Sequence, residues 1–183
     1  DLFDKHDLWQ DTLLIVNTDH GFLMGEHDWW AKVVTPFFQE VAHIPFWIYD
    51  PRQPECVGHR RKALAQTIDL PPTILDYFGV DIPADVQGNN LTDRMRTDEP
   101  HREAVLYGVM GGQVNVTDGR YVYMRAHTTE NNTPLFDYTL MPTHMHSMFS
   151  VREMQNWDKH EGFAFTKGCP VMQIPTRRPK AFL

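Results

Sequence analysis

Asp19, His20, Glu26, His27 and Lys32 crowd into one stretch, NTDHGFLMGEHDWWAK at positions 17–32. A carboxylate beside an imidazole can share one cation, and an ammonium a few residues on can face an anion. Neighbouring side chains on an extended strand point to opposite faces, so Asp19 and His20 reach one ion only where the chain is already turning. Gly21 follows, and as glycine it supplies freedom to turn. Asp-His-Gly alone also suits an ordinary strand-to-loop turn with a capping aspartate. Glu26 and His27 fit a loop-shaping role through hydrogen bonds better than contact with a reacting group. Trp29 and Trp30 can wall a substrate or anchor the loop to the core.

The elements that must position these groups follow from apolar runs and turn residues. Residues 12–17 form a short apolar strand without polar alternation, the pattern of a strand covered on both faces in a parallel or mixed sheet. Residues 44–49 form a second, closed by Asp50-Pro51. Polar side chains at the C-terminal edge of a buried strand stand where open α/β sheets gather ligands. Residues 4–9 read as the tail of a helix. A helix over 69–79 is signalled by Asp69 as a cap, prolines in the first turn and Gly79 at the end. Residues 81–100, rich in Asp, Asn and Pro, read as a connecting loop. Strands at 104–108, 113–117 and 120–125 follow, the last two joined at Asp118-Gly119, a pair favoured in two-residue hairpin turns. A helix over 148–157 is expected to cover that sheet, and the segment from Lys167 has no assignable pattern. Two units result, an α/β part at 1–100 and a small α+β lobe with an antiparallel sheet at 101–183.

The chain has 183 residues, 42% of them hydrophobic, and a formal charge of -7. It can bury a core. The acidic balance and the lack of a dense Lys/Arg block argue against nucleic acid or an anionic membrane as partner. No apolar run approaches the roughly 20 residues needed to span a bilayer. Cys56 and Cys169 can pair or stay free, and neither sits in a zinc spacing. His127, His144 and His146 lie among Thr and Asn without an evident third ligand. Residues 125–146 can alternatively reach back over the cleft and help choose the substrate. Asn90, Asn115 and Asn131 open glycosylation triplets.

Thr18-Asp19-His20-Gly21, Met24-Gly25-Glu26-His27 and Lys32 together resemble the C-terminal signature of the sulfatase family, within the alkaline-phosphatase-like superfamily. The segments at 42–49 and 66–79 are similar to two further stretches of that family, in the same order. The resemblance implies part of an alkaline-phosphatase-like mixed sheet with helices, followed by a small C-terminal antiparallel lobe. It implies that Asp19 and His20 are metal ligands, with His20 also beside the sulfate. Lys32 matches the lysine that contacts the sulfate and serves the leaving oxygen, so His20 and Lys32 are the expected catalytic residues. The implied ion is Ca2+, although a histidine ligand leaves room for Mn2+ or Mg2+. The implied substrate is a small-molecule or glycan sulfate ester.

The family nucleophile, a formylglycine made from cysteine or serine in C/S-x-P/A-x-R, has no counterpart here. Cys56-Val57-Gly58-His59-Arg60 has glycine where proline or alanine belongs and lies after the Asp-His-Gly motif, and Cys169 lacks the arginine. The chain therefore reads as the C-terminal portion of a longer sulfatase, with the formylglycine and further metal carboxylates upstream. On that reading the portion alone is inactive and exposes an apolar edge toward the missing N-terminal part. Two alternatives stay open: a phosphonate monoester hydrolase or phosphodiesterase of the same superfamily, and a non-catalytic interaction module.

Overall fold

The computed structural model describes residues 1–32, 36–129, 132–144 and 146–176. The chain opens with a single helical turn, α1 (Leu2–Lys5), and a 3-10 turn at Leu8–Gln10. The apolar runs then form β1 (Leu14–Asn17) and, after the loop, β4 (Phe46–Tyr49), paired antiparallel with Val16 opposite Trp47. Between them lie the small hairpin of β2 (Leu23–Met24) and β3 (Trp30–Ala31) and the short helix α2 (Gln39–Ala42). Covering on both faces, expected from the unbroken apolar run, does not hold among the described residues: Val16 is 45% and Trp47 62% exposed. Hydrocarbon in a strand records the environment its sequence suits, and the described residues bring nothing over that face. Leu23 and Val41, each 1% exposed, hold the hairpin and α2 to the body instead.

After β4 the backbone turns at Asp50, whose buried carboxylate accepts from the Arg52 backbone N–H and from its guanidinium. Arg52 reaches on to Asp76 in α3 (Leu70–Tyr77). Pro71 and Pro72 occupy the first turn of α3, where no intrahelical N–H is needed, and Gly79 takes φ +64° just beyond it. Asp69 makes no side-chain cap on α3. It is fully buried, accepts N–H bonds from Gln66 and Asn89, and pairs with both terminal nitrogens of Arg102. The expected loop at 81–100 contains a helix, α4 (Thr92–Thr97), because Leu91 and Met95, four apart, are both buried on one side of it.

The lobe beyond carries two antiparallel sheets. The first has the order β5 (Val105–Gly108), β6 (Val114–Thr117), β7 (Val122–Arg125). Its hairpin is not a two-residue turn: Thr117 pairs with Val122, and the Asp118 carboxylate accepts from the backbone N–H groups of Arg120 and Tyr121, which widens the loop. The second sheet sets β10 (Val171–Pro175) between β8 (Phe136–Thr139) and β9 (Asp158–His160). The segment after Lys167 thus supplies a central strand, with Val171 and Ile174 buried. The helix expected at 148–157 is only a 3-10 turn at Glu153–Gln155, entered through reciprocal hydrogen bonds between Ser150 and Glu153 and followed by the strand β9 from Asp158. Side chains cross position 100 in several places: Arg102 to Asp69, Gln66 to the Leu106 carbonyl, Asn115 to the Phe37 carbonyl and Gln39 to the Tyr107 hydroxyl. Among the described residues no helix is long and apolar enough to cross a membrane.

Candidate active site

β1 ends at Asn17, and the turn that follows is made by its own side chains. The Asp19 Oδ1 accepts the His20 backbone N–H at 3.0 Å, and the Thr18 hydroxyl bonds the His20 carbonyl at 3.3 Å. This turn brings two adjacent side chains to one side, which an extended strand forbids. Gly21 serves it by lack of bulk, not by a left-handed backbone: its φ is not positive. Its N–H donates to the Val41 carbonyl at 2.8 Å, and a Cβ there would overlap the Glu40 carbonyl oxygen.

The following loop is braced from within. Glu26 accepts the Met24 backbone N–H at 2.6 Å. The His27 ring stacks on Phe38 with centroids 3.8 Å apart and bonds Glu40 at 3.2 Å. Both residues therefore shape the loop. Gly25, His27, Asp28 and Ala31 all have positive φ, so the backbone just before Lys32 is held in sparsely populated conformations. Trp29 and Trp30 are 44% and 66% exposed and do not anchor the loop in the core.

The loop delivers Lys32 to the turn. Its Nζ lies 2.8 Å from His20 Nε2, while His20 Nδ1 lies 2.8 Å from the Gly21 carbonyl oxygen. A carbonyl can only accept and an ammonium can only donate, so the partners assign the ring proton to Nδ1 and leave a lone pair on Nε2. Asp19 Oδ2 stands 3.2 Å from that nitrogen. Two lone-pair donors thus face each other with one cation, Lys32, at hand. Desolvation works to raise the Asp19 carboxyl, but the adjoining His20 ring, the Thr18 hydroxyl and backbone N–H groups outweigh it and hold it below the ordinary value. Glu26 is likewise lowered, first by the Met24 N–H. Asp19 and His20 fit a divalent ion as two members of a larger set, since an exposed carboxylate oxygen and an imidazole lone pair converge at a separation common between ligands of one ion. Among the described residues no group of three or more His, Cys, Asp or Glu converges on a metal position.

Other sequence candidates lie in settings of their own. Cys56 and Cys169 are both free thiols, and the Cys56 sulfur contacts Gln53 Oε1. His144 bonds Glu153 at 2.7 Å, and His127 keeps a buried Nδ1 with no hydrogen-bond partner among the described residues. Asn115 is 0% exposed, which closes its triplet to a glycan in this fold, and Asn131 lies outside the described residues. The contribution of Glu40 and Phe38 was invisible in the sequence, because their partner His27 is more than ten positions away and no local pattern links them.

Comparison with known proteins takes in Lys32 but, for the family match, begins after Asp19 and His20. The family described as N-sulphoglucosamine sulphohydrolase, C-terminal, covers residues 25–161. An N-acetylglucosamine-6-O-sulfatase of Bacteroides thetaiotaomicron is 33% identical over 81 residues, 44% of this chain and 14% of that protein. An ulvan-active sulfatase of Formosa agariphila is 28% identical over 167 residues, 83% of this chain and 31% of that protein. The chain therefore spans less than a third of the length of these relatives. A solved structure, BT4656 in complex with its substrate D-glucosamine-2-N,6-O-disulfate, shares the fold with a TM-score of 0.51 at 22% identity, covering 69% of this chain and 27% of its own. With the family match spanning the loop that ends at Lys32, both lobes and most of the chain, this protein belongs to the N-sulphoglucosamine sulphohydrolase C-terminal family, the C-terminal portion of a sulfatase of the alkaline-phosphatase-like superfamily.

Proposed function

We propose that the full-length protein hydrolyses a sulfate ester carried on a sugar, with Asp19, His20 and Lys32 forming this chain's share of the active site. The observation that carries the reading is the convergence of the Lys32 ammonium and the Asp19 carboxylate on His20 Nε2. Sulfated sugars are favoured because the relatives include an N-acetylglucosamine-6-O-sulfatase and an ulvan-active sulfatase.

The chemistry follows from charge. Hydrolysis breaks the bond between sulfur and the ester oxygen, and negative charge grows on that oxygen until it gains a proton. Lys32 supplies a fixed positive charge beside it and can deliver the proton, an electrostatic contribution realised mainly in the transition state. His20, held by the Gly21 carbonyl, orients its free Nε2 toward Lys32 and keeps the ammonium aimed. Asp19 and His20 would hold a divalent ion, Ca2+ by expectation with Mn2+ or Mg2+ as alternatives, together with ligands from upstream residues; His20 would do so through the Nε2 lone pair that otherwise faces Lys32, which leaves the ammonium to the sulfate. When bound, that ion supplies positive charge that polarises the nucleophile and the sulfate oxygens. The nucleophile is an expected formylglycine outside this chain, so the chain alone is expected to be inactive.

The test is turnover by the full-length protein on 6-O-sulfated glucosamine, an aryl sulfate and an aryl phosphodiester, with intact-mass detection of formylglycine. Preferred cleavage of the sugar sulfate supports the proposal. Faster turnover of the phosphodiester, or no turnover and no formylglycine, sinks it.

A further inference from the structure

The two halves of the candidate site lean on one short segment. Residues 37–42 accept the Gly21 N–H at Val41 and leave no room for a Cβ on Gly21, which fixes the turn that carries His20. The same segment offers Phe38 and Glu40 to His27, which fixes the loop leading to Lys32. The lobe beyond position 100 grips this segment in turn. Asn115 in β6, 0% exposed, donates its Nδ2–H to the Phe37 carbonyl at 3.1 Å, and the Tyr107 hydroxyl in β5 meets Gln39 Nε2 at 3.4 Å.

We infer that Asn115 is a positioning residue for the His20–Lys32 pair, acting through the segment at 37–42. The inference rests on the proposed site but concerns its geometry, which can be measured without turnover. The Phe37 carbonyl stands just before the N-cap of α2, and among the described residues Asn115 is the buried donor that reaches it. Without that donor the segment is free to shift, and a shift is passed to both sides of the pair at once. Misplacement of reacting groups by about 1 Å can cost about 100-fold in rate. Asn115 contacts neither His20 nor Lys32, so substrate affinity is left largely intact.

The experiment compares Asn115→Ala with the parent in the full-length protein by imidazole 15N NMR, the His20 signal being identified by its loss in His20→Gln, and by steady-state kinetics on the sulfated sugar. The inference expects the His20 Nε2 resonance to move and kcat to fall at least about tenfold, with KM within about twofold. Thr73→Val, which removes a buried hydroxyl bonded to the Asp69 carbonyl and Leu91 N–H elsewhere in the body, controls for general loosening and should leave kcat and the resonance unchanged. Tyr107→Phe should move both readouts in the same direction but less, and it decides the matter if Asn115→Ala does not fold. An unmoved His20 resonance in folded Asn115→Ala, or an equal loss of kcat in Thr73→Val, overturns the inference. If the parent cleaves no sulfate ester, the proposed function fails while the NMR comparison still judges the positioning role.

Discussion

Replacing Lys32 with alanine is the most direct perturbation of the proposed chemistry. The ammonium sits 2.8 Å from His20 Nε2 at an exposed position, so its charge acts in a wet site with a fairly high effective dielectric. At a dielectric of about 20, a unit charge about 4 Å from charge developing on the leaving oxygen is worth about 4 kcal/mol. Screening lowers this, and the measured cost of deleting one preorganised donor is about 2.7–4 kcal/mol, or two to three orders of magnitude in kcat. Lys32→Ala in the full-length protein should therefore lose about 100- to 1000-fold in kcat on the sulfated sugar. Its metal content should stay near that of the parent, because a lysine ammonium donates hydrogen bonds and has no lone pair for an ion. Asp19→Ala should lose metal and turnover together. Turnover and bound metal, the latter by inductively coupled plasma mass spectrometry, are measured on both variants. Near-normal kcat in Lys32→Ala refutes the electrostatic role, and a metal-replete Asp19→Ala refutes the ligand role.

Three further outcomes are expected. Gly21→Ala should destabilise the fold by about 1–3 kcal/mol, as overpacking does, and displace His20, since the new Cβ meets the Glu40 carbonyl; a denaturation midpoint equal to the parent's would show that the turn can relax. Arg102→Ala should cost about 3–5 kcal/mol in chemical denaturation, because it leaves the fully buried Asp69 carboxylate without its counter-charge, and a loss under about 1 kcal/mol would mean the Gln66 and Asn89 N–H groups suffice. Hydrogen bonds from the Ser150 hydroxyl and N–H and from His144 lower the Glu153 carboxyl to about 2 from 4.5. A depressed folded-state value stabilises above the unfolded one, so this contribution is complete above about pH 4.5 and is lost as pH falls toward about 2. Glu153→Gln should flatten the fall of Tm across that window, and an unchanged slope would remove Glu153 from the acid response.

The sequence alone determined what is local. Prolines at the start and a glycine at the end marked α3, because those residues restrict or free the backbone wherever they occur. Unbroken hydrocarbon marked β1 and β4 to within two residues at each end, and the polar set after β1 marked the candidate site, because residue types and their order carry metal and anion chemistry. Tertiary structure decided the rest. Whether Gly21 was needed for freedom or for space depended on the Glu40 carbonyl, and whether His27 faced a substrate or a neighbour depended on Phe38. Asp69 looked like a cap until Arg102, more than thirty positions away, was placed against it. The helix at Thr92–Thr97 forms because Leu91 and Met95 find a buried surface, and the strand at Val171–Pro175 because two distant edges, β8 and β9, accept it. Such choices compare the free energies of surfaces that meet only after folding, and no window of neighbouring residues contains both sides of the comparison.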